Sequence, residues 1–228
     1  MVVNYIISLA LAPLIAVLLY AWVAGRYGKS YYSGLIASFV WGMISILLVV
    51  LFQYIAAFYG LDNFRNLRRI VFYSFMVMGL GSELGKFLVL RYFSFSKNNF
   101  NGPQDSIIYS VMISMGFVFS GNILYFVLPV YTEIDFTYAI TVVFANLFFA
   151  VVLGFFVGLA RIRENRFIDS MTGLFAASFF HAVYNFCFIT QDYKLLLYFS
   201  IGFFVVVILL LYKALELSAE LRREARAD

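Results

Sequence analysis

The chain has 228 residues, of which 64% are hydrophobic, 21% aromatic and only 12% charged, whereas a soluble globular chain averages about 25% charged residues. A soluble fold of this length could not hide so much apolar surface, so the composition excludes a water-soluble domain and predicts one covered by lipid. The formal charge of +4 is, in a membrane chain, typical of topology signals rather than of nucleic-acid binding, and we expect no nucleic-acid partner.

Seven apolar runs are each long enough to cross a bilayer core, which takes roughly 20 helical residues. We therefore predict an all-α, polytopic transmembrane helix bundle of about seven spans, folded as a single integral membrane domain over residues 1–228. Acids and bases alternate over 216–228, which predicts a charged cytoplasmic tail that continues the last helix as a solvated end. The predicted spans lie near 3–24, 34–60, 70–93, 107–130, 138–160, 170–190 and 195–215.

Lysine and arginine are divided unequally between the two sides of this bundle. Eleven lie at the connections after spans 1, 3 and 5 or in the tail, and four lie on the other side. Because the cytoplasmic side carries the excess, we predict the N-terminus outside and the C-terminus in the cytoplasm. Arg65, Arg68 and Arg69 oppose this trend, and a surface helix contacting anionic headgroups would explain them.

Three ionisable side chains fall deep inside predicted spans: Glu83, Lys86 and His181. Burying each costs several kcal/mol unless it is paired or lines a wet cavity, so each marks a candidate functional site. Glu83 and Lys86 share one face of span 3, and His181 shares one face of span 6 with Asn185. Similar depths predict that Glu83 and His181 meet in one cavity, although an ion pair and an interhelical hydrogen bond kept only for folding would show the same spacing.

Further polar and small residues occur on spans 4 and 5. The stretch GFVFSGN at 116–122 brings two glycines and a serine next to Asn122, and Asn146 is another amide at depth on span 5. Small residues permit close helix packing, which alone would account for the glycines. Asn122 is a candidate hydrogen-bond donor.

Three sequence segments contain polar residues found at depth: SELGK at 82–86, GFVFSGNILY at 116–125 and FHAVYN at 180–185. In order, spacing and membrane depth they resemble the PrsW family of intramembrane proteases, related to the CAAX-processing and bacteriocin-immunity membrane proteases. The segments are similar to that family's Glu-Glu-x-x-Lys motif, its Gly-Phe-Ala-x-x-Glu-Asn-x-x-Tyr segment and its late His-Ala box. The resemblance implies a PrsW-like four-helix core over residues 70–190.

The departures from the family pattern fall at two acids, since Ser82 and Gly121 stand where the motifs have glutamates. By resemblance, those acids help to activate the attacking water, while the histidine and asparagine of the late box stabilise the oxyanion. The resemblance implies Glu83, His181, Asn185 and Asn122 as catalytic residues. Substrate-binding or structural support is implied for Lys86, Ser82, Gly121 and Tyr184.

Two functions from different classes remain open. The chain is either a degenerate homologue, weakly active or a pseudoprotease, that binds a membrane peptide, lipid or partner in a midplane cavity, or an active glutamic-type intramembrane protease. In the active case Glu83 is the general base and His181 and Asn185 are oxyanion donors. The missing acids favour the degenerate homologue. A transporter or channel is a weaker alternative, because no span shows a paired Gly/Pro interruption.

Metal and disulfide chemistry have few residues available. Only Glu83 and His181 are metal-ligand side chains at depth, and a catalytic zinc normally takes three protein ligands, so we expect no metal and no cofactor. The single Cys187 excludes an internal disulfide. We expect membrane lipid as a partner, together with a membrane-protein substrate or partner helix, and a location in a bacterial or archaeal plasma membrane.

Overall fold

A computed structural model of the chain describes residues 2–27, 32–95, 101–127 and 136–227, and every regular element within them is helical. The predicted all-α bundle is confirmed. The units in chain order are α1 (Val2–Tyr27), α2 (Tyr32–Phe58), α3 (67–94), α4 (Pro103–Val127), α5 (Phe136–Ile162), α6 (Arg166–Thr190) and α7 (Tyr193–Ala227). The predicted end of span 4, residues 128–130, and the last tail residue lie outside the described residues.

Six of these helices, all except α3, are long and apolar enough to cross a membrane. Their most apolar windows have mean hydropathy between 1.4 and 2.7. Because a bilayer offers no hydrogen-bond partners to the backbone, complete helices of this kind are what an integral membrane protein needs. Helix α3 occupies the position of the third predicted span.

Helix α3 is continuous but changes its winding three times. The residues at each junction, Tyr73, Gly81 and Val89, have right-handed helical backbone angles, so the axis is not broken. The wider π-helical turns are rare and are often found at functional sites. The four consecutive segments are Leu67–Phe72 (α), Tyr73–Leu80 (π), Gly81–Leu88 (α) and Val89–Ser94 (π).

The ends of several helices follow from local backbone chemistry. Asn66 precedes α3 and its side chain accepts a hydrogen bond from the Arg69 N–H at 3.0 Å, as an N-cap residue does. Helix α2 ends at Phe58 and is followed by Gly60, whose φ of +63° is in the left-handed region. There the Leu61 N–H donates to the Ala56 carbonyl at 2.8 Å, closing the helix in a Schellman motif.

The centre of the bundle is formed by α4 and α5, which pack along one another and are the most buried of the spans. Helix α2 packs on α4, and α6 packs on α5 and on the first π segment of α3. Small residues permit the closest approaches: a Cβ added at Gly158 of α5 would lie 2.4 Å from the Cα of Pro103 on α4. Helices α1 and α7 lie at the periphery. This arrangement surrounds the polar segment Gly81–Leu88 of α3 with α2, α4 and α6.

Candidate functional site

The three deep ionisable side chains form one contact group. The Glu83 Oε1 atom accepts a hydrogen bond from the Lys86 Nζ at 2.5 Å and lies 2.6 Å from the His181 Nδ1. Each of these residues is at most 2% exposed. The structure therefore joins α3 to α6 through a single buried carboxylate oxygen, whose charge is compensated by the Lys86 ammonium.

The Lys86 ammonium has two further neighbours. Its Nζ donates to the Asn146 Oδ1 at 2.8 Å and lies 4.9 Å from the centre of the Phe117 ring, within cation–π range. Asn146 is oriented in turn by donating from Nδ2 to the Val142 carbonyl at 2.9 Å. A carboxylate, an amide oxygen and a ring face thus surround the ammonium. The sequence placed Asn146 at depth but could not show which way it faces.

The imidazole of His181 is fixed by stacking. Its ring lies 4.6 Å from the Phe149 ring at an interplanar angle of 18°. Because Nδ1 contacts Glu83, Nε2 is the ring nitrogen that remains for a second hydrogen bond.

A cavity of about 90 Å³ lies beside this contact group, between α2, α3, α4, α5 and α6. That volume admits several water molecules or part of a side chain. Its polar lining includes Ser82, Asn122, Asn146 and His181. The remaining lining is mostly apolar and comprises Ile46, Val49, Val50, Gln53, Met78, Phe117, Val118, Gly121, Leu124, Tyr125, Tyr138 and Val142.

Both positions that depart from the family motifs border this cavity, whereas the retained acid does not. Ser82 and Gly121 are lining residues, and Glu83 is not. None of the described lining residues is acidic. The second carboxylate oxygen of Glu83, Oε2, is buried and has no hydrogen-bond partner in the described part of the chain. The cavity therefore offers donors and an imidazole but no carboxylate of its own.

The other residues implied by the resemblance are divided between the cavity and the helix contacts around it. Asn122 lines the cavity, yet its Nδ2 donates to the Ser8 carbonyl of α1 at 2.9 Å. The Asn185 Nδ2 donates to the His181 carbonyl at 3.0 Å, one turn back on its own helix. Asn185 is not a lining residue, so the structure does not bring it to the cavity.

Tyr184 also serves a helix contact. Its hydroxyl lies 2.8 Å from the Thr141 Oγ1, which joins α6 to α5. It is buried and is not among the cavity residues.

Comparison with known proteins gives a family match over most of the chain. The model of a family described as "PrsW family intramembrane metalloprotease" matches residues 31–212. No solved structure matches the chain.

Several curated bacterial proteins named "Protease PrsW" are similar to this chain. The protein from Geobacillus kaustophilus is 27% identical over 188 residues, covering 82% of this chain and 81% of the relative. The protein from Oceanobacillus iheyensis is 26% identical over 182 residues, covering 79% and 81%. The protein from Bacillus subtilis is 27% identical over 183 residues, again covering 79% and 81%.

The family description implies a metal ion, and the residues at this site do not fit one. A catalytic zinc normally takes three protein ligands and keeps one position open. In the described ranges no group of three His, Cys, Asp or Glu side chains is placed to hold a metal ion. Glu83 and His181 contact each other directly, and the Lys86 ammonium shares the same carboxylate oxygen. A fixed cation thus stands beside the one carboxylate that a metal would need.

Proposed function

This chain belongs to the PrsW family of intramembrane proteases, and from that premise we propose that it is a degenerate member that binds a membrane-embedded peptide in the cavity beside His181 without efficient hydrolysis. One observation carries the proposal: no described residue lining the cavity is acidic, because Ser82 and Gly121 stand at the two motif positions that border it. We place the protein in a bacterial plasma membrane, since its similar relatives are bacterial.

Hydrolysis of a peptide bond needs a base within hydrogen-bond reach of the attacking water, about 2.6–3.2 Å, and donors aimed at the developing oxyanion. His181 and Asn122 supply hydrogen-bonding groups at the cavity wall. The carboxylate of Glu83 instead holds Lys86 and His181 through Oε1. The site therefore retains polar groups suited to binding while lacking the acids that would activate water.

The cavity chemistry favours a peptide over a lipid tail. An acyl chain has no hydrogen-bonding groups and would leave the Nε2 of His181 and the remaining hydrogen-bonding capacity of Asn122 unmatched, which costs free energy. An unwound stretch of a transmembrane peptide exposes carbonyl and N–H groups that would pair with Asn122 and the Nε2 of His181. The apolar residues Ile46, Val49 and Val142 on the same cavity would contact its side chains.

The degenerate state predicts a gain of function when the acids are restored. We expect the Ser82→Glu/Gly121→Glu variant to cleave transmembrane peptides that the wild-type protein leaves intact, because both side chains would enter the cavity. Space exists at position 121, where an added Cβ would find its nearest neighbour, the Cδ1 of Ile46, at 3.8 Å. Mass spectrometry of peptides incubated with protein in nanodiscs measures the cleavage.

The matched control is Ser82→Gln/Gly121→Gln, which adds the same bulk without a carboxylate and should remain inactive. Adding Glu83→Gln to the restored variant should reduce its cleavage, because the carboxylate that holds Lys86 and His181 is then lost. Efficient cleavage by the wild-type protein would contradict the proposal.

An active glutamic-type protease is the second candidate, and the contact between Glu83 and His181 favours it. The 2.6 Å separation gives Glu83 a proton-sharing partner, and Oε2 is left without a protein hydrogen bond among the described residues. Here Glu83 would act as general base. If this candidate is right, wild-type protein cleaves peptides and both Glu83→Gln and His181→Ala abolish the cleavage. Activity that survives both substitutions contradicts the assigned mechanism.

A further inference from the structure

A second pocket, about 330 Å³ in volume, lies at one end of the bundle and is far from the polar cavity in the fold. It forms where α1 ends, α4 begins and α7 extends beyond its apolar part. Its lining is Arg26, Gln104, Leu215, Ala219, Arg222 and Arg223. Three arginines and a glutamine thus line the pocket together with two apolar residues, and none of these described lining residues is acidic.

The end of α7 has one side buried against the bundle and a wide exposed side that includes the pocket residues. Ala214 and Ser218 are buried against the bundle. Leu215, Ala219, Arg222 and Arg223 follow one another at helical spacing and line the pocket.

The acids of this segment lie on the rest of the exposed side. Glu216 is half exposed and accepts a hydrogen bond from Lys213 at 2.8 Å. Glu220 and Glu224 follow Glu216 at spacings of four and continue its side of the helix, where Glu220 is three residues before Arg223 and therefore its neighbour. Arg222 lies away from the acids and contacts Gln104 of α4, whereas Arg223 lies between the pocket and the acids.

One arginine of the pocket is held in place by a neighbouring side chain. The Arg222 Nη2 donates to the Gln104 Oε1 at 2.8 Å, which holds this guanidinium at the pocket wall. A guanidinium presents several N–H donors in one plane and matches the geometry of phosphate oxygens. The contact with Gln104 fixes the direction in which the Arg222 guanidinium faces.

Neighbouring residues place the pocket at a membrane surface. Trp22 lies one turn before Arg26, is 49% exposed, and its ring centre is 5.9 Å from the Arg26 guanidinium carbon. Tryptophan is enriched where the hydrocarbon meets the headgroups. On α7 the exposed apolar residues Ile208 and Leu211 lead directly to Leu215 at the pocket. An ion held by the arginines would therefore lie above an apolar surface suited to acyl chains.

We infer that this pocket binds the phosphate of an anionic phospholipid headgroup, with the acyl chains lying along α7. The inference does not depend on peptide binding or cleavage at His181. Basic pockets between the ends of membrane helices bind lipid phosphates in this way.

Trp22 provides a local reporter for the test. The chain has two tryptophans, and Trp41→Phe removes the other one, which is exposed on α2. In that background we expect phosphatidylglycerol with brominated acyl chains to quench Trp22 fluorescence more strongly than brominated phosphatidylcholine in otherwise identical vesicles. Arg222→Gln/Arg223→Gln should weaken the apparent affinity for phosphatidylglycerol about 30-fold, since each basic residue near an anionic surface contributes about a factor of five.

The matched control is Arg163→Gln/Arg166→Gln, which removes the same charge from two exposed residues at the same end of the bundle. This control should retain the preference for phosphatidylglycerol, and Arg222→Lys/Arg223→Lys should restore part of it. Equal quenching by the two lipids, or an equal loss in the Arg163/Arg166 control, would overturn the assignment. Displacement of the bound lipid by inorganic phosphate would show a site for soluble phosphate instead of lipid.

Discussion

Replacing Lys86 with methionine is expected to destabilise the protein by about 3–5 kcal/mol, because removal of one partner leaves the other charge of a buried pair uncompensated. The Lys86 side chain is 1% exposed and that of Glu83 is 0% exposed, and their Nζ and Oε1 atoms are 2.5 Å apart. Methionine preserves most of the volume and the unbranched shape of lysine. The loss of stability therefore measures the effect of removing the charge rather than of changed packing. Unfolding by a denaturing detergent, added to protein in mild micelles, measures the change.

Two companion variants identify the cause. Glu83→Gln/Lys86→Met removes both charges and should be more stable than Lys86→Met alone. Lys213→Met breaks a pair with the same i, i+3 spacing, the exposed one between Lys213 and Glu216, and should leave stability unchanged because exposed pairs contribute little. If Lys86→Met and Lys213→Met behave alike, the buried pair does not hold α3 in place.

Gly116→Ala is expected to destabilise the protein by about 3 kcal/mol, at the upper end of what overpacking costs. A Cβ at this position of α4 would lie 2.0 Å from the Phe39 carbonyl oxygen of α2. The facing position repeats the constraint, since a Cβ at Gly42 of α2 would lie 2.1 Å from the Ile113 carbonyl oxygen. Backbone atoms on both helices would have to separate. The same detergent titration measures this loss.

Gly121→Ala on the same helix is the matched control. Its added Cβ would have no heavy atom closer than 3.8 Å, so only the helix propensity changes, which favours alanine by about 1 kcal/mol. We expect this variant to be as stable as the wild-type protein or more so. A similar loss at both glycines would indicate that α4 does not approach α2 as closely as the structure shows.

The bundle could be predicted from the sequence because the bilayer fixes the length of each span and forces the backbone into helices. The contact between Glu83 and Lys86 also follows from spacing, since residues three apart on a helix are neighbours. Similar depth on two spans also suggested a meeting with His181, although the contact itself depends on how the two helices face each other. Each of these inferences depends only on distances measured along a helix axis.

What could not be predicted depends on the rotation of each helix about its axis. Asn146 was visible as an amide at depth, but only the packed structure directs it to Lys86. Asn185 shares a helix face with His181, and yet its amide donates to a backbone carbonyl. The π segments of α3 left no trace in the local sequence pattern, because they reflect a shift of backbone hydrogen bonds. Neither the residue types nor the spacing of apolar residues along the sequence determines how each helix is rotated about its axis.

The glycines show the same division between sequence and structure. Small residues on span 4 were interpreted as packing residues, and the structure supports this at Gly116, where the neighbouring backbone leaves no space. It does not support it at Gly121, which borders the cavity and has open space around it. Glycine therefore permits close helix packing at position 116 and leaves space for the cavity at position 121.

The pairing of Glu83 with Lys86 has an electrical consequence for a protein exposed to a transmembrane voltage. A single elementary charge carried across a bilayer experiences about 2.3 kcal/mol per 100 mV. Opposite charges 2.5 Å apart in a layer about 30 Å thick sample less than a tenth of that drop, or about 0.2 kcal/mol per 100 mV at most. The energy of this ion pair therefore depends very little on the membrane potential. A change in the transmembrane voltage should not act on α3 through this pair.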